Sequence, residues 1–304
     1  MRIGTLDVSP LCLGGNVFGW TADEAESMRV LDAYAGAGGN FVDTADVYSA
    51  WAPGNAGGES EAILGRWMRA RGCRDRMVIA TKVGMAPGLQ GLRAETIKKA
   101  CDASLGRLQT DRIDLYYAHR DDPDAPIAET VAAFDALVRA GKVRHVAASN
   151  YTAPRLAEAL SVADREGLAR FVALQPHYNL LHRHEYEGEL AALCAREGVA
   201  CVPYFALARG FLTGKYRPGA AVESARAEGA RRHLDARGLR VLAALDTIAA
   251  YHHTPVAACA IAWLRAKGTV PIASARTVEQ LREILPVVTL WPEEIQRLDE
   301  ASAA

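Results

Sequence analysis

Eight times along this chain a short apolar run is followed by a longer amphipathic stretch, and that alternation limits the fold more than any single motif. The short runs fall at 11–14, 41–44, 77–81, 113–118, 143–148, 171–174, 200–204 and 269–273. Runs of this length, bounded by polar or glycine residues, read as buried strands. The longer stretches, at 24–36, 59–71, 93–108, 127–140, 154–166, 185–197, 256–267 and 278–285, read as helices. Strands that alternate with helices form a parallel sheet, and eight such units can close on themselves as a (β/α)8 TIM barrel. No linker or shift in composition divides the chain, so one domain spanning 1–304 is expected. With 50% hydrophobic residues it has ample material for a large core.

Composition narrows the functional classes. The net charge is −1 and no basic cluster stands out, which disfavours nucleic acid or an anionic membrane as partner. Met1–Thr5 holds no apolar signal core, and no run of 18 apolar residues occurs, so a soluble protein is expected. The six cysteines, at 12, 73, 101, 194, 201 and 259, form no CxxC pair and lie mostly in apolar segments. They read as reduced core residues, which suits the cytoplasm.

In a barrel of this kind the active site lies at the carboxyl ends of the strands. Those ends carry Gly14-Gly15-Asn16, Asp43, Lys82, His119, Ser149-Asn150, Gln175, Tyr204 and Ser274. A carboxylate or an ammonium buried there needs a partner, and Asp43 and Lys82 stand on consecutive strands. Tyr48 follows Asp43 on the adjoining loop. A phenol is a poor acid near neutrality, but a neighbouring ammonium favours the phenolate, so Lys82 is expected to bring Tyr48 into a useful range. Asp43 would hold that lysine charged, and His119 would polarise a carbonyl oxygen or relay its proton. Carbonyl reduction needs this arrangement, a hydride donor on the other face of the carbonyl carbon, and no metal. Lys82 as a Schiff-base nucleophile, as in an aldolase, is the alternative within enzymes.

The segments 43–48 (Asp-Thr-Ala-Asp-Val-Tyr), 81–84 (Thr-Lys-Val-Gly) and 115–119 (Leu-Tyr-Tyr-Ala-His) resemble the signatures of the aldo-keto reductase superfamily, and the likeness covers nearly the whole chain. That resemblance implies a catalytic tetrad of Asp43, Tyr48, Lys82 and His119, with Tyr48 as general acid. It implies that Ser149, Asn150 and Gln175 hold a nicotinamide carboxamide and that Tyr204 stacks on the ring. The run 204–215, which includes Phe205, Leu207, Arg209, Gly210 and Lys215, resembles the loop that wraps the pyrophosphate. Gly14, Gly15, Asn16, Asp43, Ser274 and Gln280 complete the expected cofactor-binding set.

No GxGxxG occurs, so a Rossmann site is unsupported. Arg276 follows the last strand, where barrels often bind phosphate, and its planar fork suits a 2′-phosphate; NADP(H) is therefore expected. Ala206 stands where the family commonly has proline, and Ile284 where many members have asparagine at the adenine. Trp20 and Trp51 are expected to border the mouth and touch a small carbonyl or alcohol substrate. His182-Arg183-His184 lacks further ligands at suitable spacing, so no metal is expected, and His252-His253 reads as a solvated helix end. The charged, alanine-rich segment 223–240 reads as an exposed helical insertion over the mouth. A different functional class, a non-catalytic subunit that senses nicotinamide redox state, is disfavoured by an intact tetrad, and turnover of a generic aldehyde separates the two. The oligomeric state, the preferred direction and the physiological substrate are left open.

Overall fold

Residues 1–303 are described by the computed structural model, and eight of their segments pair as one parallel sheet. They are β1 (Cys12–Gly14), β2 (Phe41–Asp43), β3 (Val78–Val83), β4 (Ile113–Ala118), β5 (Val143–Ser149), β6 (Phe171–Gln175), β7 (Ala200–Cys201) and β8 (Ile272–Ala273). Each pairs with the next in sequence from β1 to β7, and β8 pairs with β1. The remaining gap closes through two backbone bonds, Val270 N–H to the Cys201 carbonyl and Ile272 N–H to the Pro203 carbonyl, both 2.9 Å. The expected (β/α)8 barrel is present.

Side chains alternate across the strands as the two-residue period requires. Cys12, Phe41, Ala80, Leu115, Tyr117, Ala147 and Ala173 fill the interior. Leu13, Val42, Ile79, Tyr116 and Ala118 face outward into the larger core under the helices. An amino-terminal hairpin, Arg2–Ile3 with Leu6–Asp7, adds Ile3, Leu6 and Val8 to the interior cluster. Sequence periodicity gave no hint of it, because strands of two residues have no period.

The helices are α1 (Glu24–Gly36), α2 (Glu59–Arg71), α3 (Ala94–Leu108), α4 (Ile127–Arg139), α5 (Ala153–Glu166), α6 (Glu189–Glu197), α7 (Ala227–Arg231), α8 (Ala236–Tyr251), α9 (Val256–Ala266), α10 (Val278–Ile284) and α11 (Pro292–Ala301). Local signals set several ends. Asp23 caps α1 by accepting from Glu26 N–H (2.8 Å), and Gly72 ends α2 in the left-handed conformation (φ 55°). The strands expected at 200–204 and 269–273 are shorter than read, since Pro203 and Pro271 bring no N–H to a ladder. The helix expected from 185 begins at Glu189, after Gly188 at φ 96°.

Two expectations are corrected. Segment 223–240 is not an exposed helix: α7 has five residues with Ala227 and Ala230 buried, and Asp235 caps a separate helix, α8, through Gly238 N–H (2.7 Å). His252 is not a solvated helix end either, because its Nε2 lies 2.9 Å from Glu294 Oε1 and ties α8 to α11. No helix among the described residues is long and apolar enough to cross a membrane.

Candidate active site

Strand β2 delivers Asp43 to the barrel mouth and β3 brings Lys82 beside it, two charges with side-chain exposures of only 2% and 0%. Such a pair is tolerated when every proton and lone pair finds a partner. Lys82 Nζ donates to Asp43 Oδ2 (2.6 Å), the Thr44 carbonyl (2.8 Å) and Tyr48 Oη (2.9 Å), which uses all three of its protons. Tyr48 Oη donates to Asp43 Oδ2 (3.2 Å), and Gln175 Nε2 donates to Asp43 Oδ1 (2.9 Å). The carboxylate is satisfied on both oxygens.

The electrostatics differ from the sequence expectation at Tyr48. Burial pushes its pKa well above 10, the Asp43 carboxylate pushes further the same way, and Arg226 pulls against both. The phenol is therefore protonated at neutral pH, a proton source rather than a phenolate. Its ring lies under the Lys82 ammonium, 4.6 Å from Nζ to the centroid. His119, at the end of β4, has its pKa driven well below 6.5 by burial first, then by the charges of Lys82 and Arg120. It is a neutral imidazole, 6.2 Å from Tyr48 between ring centroids, and its Nδ1 is buried with no hydrogen-bond partner.

A second layer joins the remaining strand ends. Ser149 Oγ donates to the Gln175 carbonyl (2.8 Å). Asn150, at φ 56°, donates to the His119 carbonyl (3.0 Å) and accepts from Tyr204 Oη (2.8 Å). Asparagine is among the few residues that tolerate this left-handed conformation. Across the mouth Ser274 Oγ donates to Asn16 Oδ1 (2.6 Å). Gly14 is required where it stands, because a Cβ there would come within 2.5 Å of Ser274 Oγ.

These groups open on a cavity of about 460 Å³. Gly14, Asn16, Asp43, Tyr48, Trp51, His119, Ser149, Asn150, Gln175, Tyr204, Phe205, Leu207, Arg209, Gly210, Lys215, Ser274, Arg276 and Gln280 all line it. Three expected site residues do not. Lys82 lies wholly buried behind Tyr48 and Asp43. Gly15 supports the site from below, its N–H bonded to the Asp43 carbonyl at 2.7 Å. Trp20 lines an adjoining recess, its ring edge-to-face with Trp51 at 5.6 Å.

Sequence reasoning missed Arg120, Ser224 and Arg226, of which Arg226 matters most. Its guanidinium lies 5.7 Å from the Trp20 ring, so the segment after residue 214 reaches the loop after β1 across the mouth. Gly229 lets that segment approach closely, since a Cβ there would meet Arg209 Cδ at 2.7 Å. Arg209, Lys215, Arg226 and Arg276 face the cavity with no ion-pair partner within 4.0 Å among the described residues. Four unpartnered cations above a wall of Tyr204, Phe205 and Ile272 suit a ligand with several phosphates and a flat ring, so the donor set fits a nicotinamide dinucleotide. Ala206 and Ile284 line the same cavity with apolar surface.

Comparison with known proteins agrees with this geometry. Residues 10–303 match the aldo/keto reductase family model. Similar proteins include an aldo-keto reductase of Fusarium vanettenii, 32% identical over 93% of this chain and 84% of that protein. The norsolorinic acid reductase of Emericella nidulans is 33% identical, over 96% of this chain and 78% of its own length. A probable voltage-gated potassium channel beta subunit of Arabidopsis thaliana is 34% identical, over 94% and 89% respectively. The chain belongs to the aldo/keto reductase family.

Proposed function

We propose that this chain, one barrel unit over residues 1–304, reversibly reduces an aldehyde or ketone to the alcohol with NADPH, Tyr48 giving the proton. The observation that carries the reading is Tyr48 at the cavity wall, its Oη 2.9 Å from the Nζ of a fully buried Lys82 that is itself paired with Asp43. When bound, the nicotinamide supplies the hydride. Arg276 with Gln280 would hold the 2′-phosphate, and Arg209, Lys215 and the loop around Gly210 the pyrophosphate. Ser149, Asn150 and Gln175 would orient the carboxamide, with Tyr204 against the ring.

The proton chemistry falls to the chain's own groups. Oxygen turning toward alkoxide in a water-poor cavity is costly unless protonated at once. Tyr48 Oη delivers that proton, and the phenolate left behind keeps the Lys82 hydrogen bond that was already in place. Asp43 keeps the lysine fixed through a 2.6 Å hydrogen bond. A neutral His119 donates a ring N–H to the carbonyl oxygen without competing for Tyr48's proton. A Schiff-base role for Lys82 fits poorly, because its amine does not reach the cavity and all three protons are committed.

Six unpaired, buried thiols suit a reducing compartment, and the cytoplasm is proposed as the location. The test is consumption of NADPH with a generic aldehyde; absence of turnover with every aldehyde and ketone tried would refute catalysis. That outcome, joined to intact NADPH binding, would favour the second reading, a nicotinamide-binding subunit without turnover. The relatives named as channel beta subunits are the reason to keep it.

A further inference from the structure

We infer that His177, His182 and Glu185 form a binding site for one divalent first-row transition ion of the zinc class, on the outer side of the Tyr204 wall. The sequence places His182 three residues before Glu185 but gives no third ligand; folding supplies it from the loop after β6, where His177 follows Gln175. The three side chains hold one donor atom each within 4.8 Å of one another. A tetrahedral zinc site with bonds of about 2.1 Å sets its ligand atoms about 3.4 Å apart, so the side chains must rotate inward to close the set. Two imidazoles and one carboxylate are a donor combination that suits zinc, nickel or copper.

A second observation points the same way. His182 Nε2 is buried and has no hydrogen-bond partner, although Glu185 Oε1 stands 2.9 Å away. The carboxylate is close but off the line of a hydrogen bond, so an orphaned nitrogen faces an anionic oxygen, an arrangement that a cation resolves. His184 lies beside the group, its Nε2 3.9 Å from the same Glu185 oxygen, and can serve as a further ligand. The His177 and His182 rings stack at 3.6 Å and 11°, so an ion shared between them must splay the rings. His177 also stacks on Tyr204 at 5.3 Å, which links the site mechanically to the cavity wall.

The experiment is a calorimetric titration of the untagged full chain with Zn²⁺, run with His182→Ala, Glu185→Gln and, as a control at a separate His–Glu pair, His252→Ala. One equivalent of Zn²⁺ should bind the parent chain, and His182→Ala should weaken it at least about tenfold, the scale of loss seen when a ligand environment is broken. Glu185→Gln, at an exposed side chain, should weaken binding in the same direction, and His252→Ala should not. Co²⁺ substitution should give a visible spectrum without a thiolate charge-transfer band. No stoichiometric binding, binding indifferent to His182 and Glu185, or a thiolate band would each overturn the assignment.

Discussion

Removing one oxygen atom, in Tyr48→Phe, should separate catalysis from architecture. Oη accepts from Lys82 (2.9 Å) and donates to Asp43 (3.2 Å). Without it Lys82 retains Asp43 at 2.6 Å and Thr44 at 2.8 Å, and Asp43 retains Lys82 and Gln175. No buried charge is stranded, so the stability loss should not exceed about 1.5–3 kcal/mol, the range for a hydrogen bond to a charged group. The catalytic loss should be greater. A positioned general acid contributes about 10²–10⁴ in rate, equivalent to about 2.7–5.4 kcal/mol. Lys82→Met should slow the chemical step to a similar degree, since Oη loses its hydrogen-bond donor and the nearby charge. It should also cost about 3–5 kcal/mol of stability, because a buried Asp43 is left uncompensated. Acting as one unit, the two residues should make the double variant little slower than either single one. The assay is single-turnover reduction of an aldehyde at saturating NADPH, paired with urea unfolding. Near-parental turnover in Tyr48→Phe would remove the tyrosine from the mechanism, and a double variant slowed by the product of the single losses would refute the unit.

Arg276→Ala should weaken NADPH binding by a charge-assisted contact of about 1.5–3 kcal/mol and leave NADH nearly unchanged; equal losses measured by fluorescence titration would show that it does not read the phosphate. Gly14→Ala should weaken nucleotide binding by about 1–3 kcal/mol through overpacking on Ser274. Adding Ser274→Ala should restore part of that loss, and no rescue would count against the clash. Asp46, buried near Glu61, has its pKa raised from 3.8 to about 6, by burial first and then by that neighbour. A carboxyl with a raised folded-state pKa holds its proton more tightly folded than unfolded. Its contribution is therefore full below about pH 4 and lost as the pH rises through 6, a change of about 3 kcal/mol. Asp46→Asn should flatten that decline between pH 4.5 and 7.5 in urea unfolding, and an unchanged slope would refute the assignment.

What the sequence revealed was what is locally encoded. Helices 24–36 and 59–71 and strand 113–118 matched residue for residue, because period, cap and terminating glycine lie within a few positions of one another. Pro203 and Pro271 trimmed the last two strands by an equally local rule, the missing N–H. The polar strand ends pointed to the mouth, and most of the expected residues do converge there. Arg226 escaped notice because alanine and charge around it mimic a solvated helix; only its contact with Trp20, far upstream, reveals its place. His177 was hidden because only the fold brings it beside His182 and Glu185. The direction at Tyr48 also depended on tertiary detail, since burial and Asp43 outweigh what a neighbouring ammonium suggests on paper.

The two backbone bonds that close the barrel carry a consequence for how the protein responds to its ligand. Tyr204 follows β7, while Ser274 and Arg276 follow β8, so the cavity straddles the joint where two-residue strands meet. A dinucleotide seated there would act as a rivet across the joint. At a concentration 100 times its Kd it would add about 2.7 kcal/mol to folding stability. Local opening is cheapest where few bonds hold, so the empty barrel should breathe first along this line. The Val270 amide, donor of one of those two bonds and absent from the cavity lining, then becomes a reporter of occupancy through its hydrogen exchange.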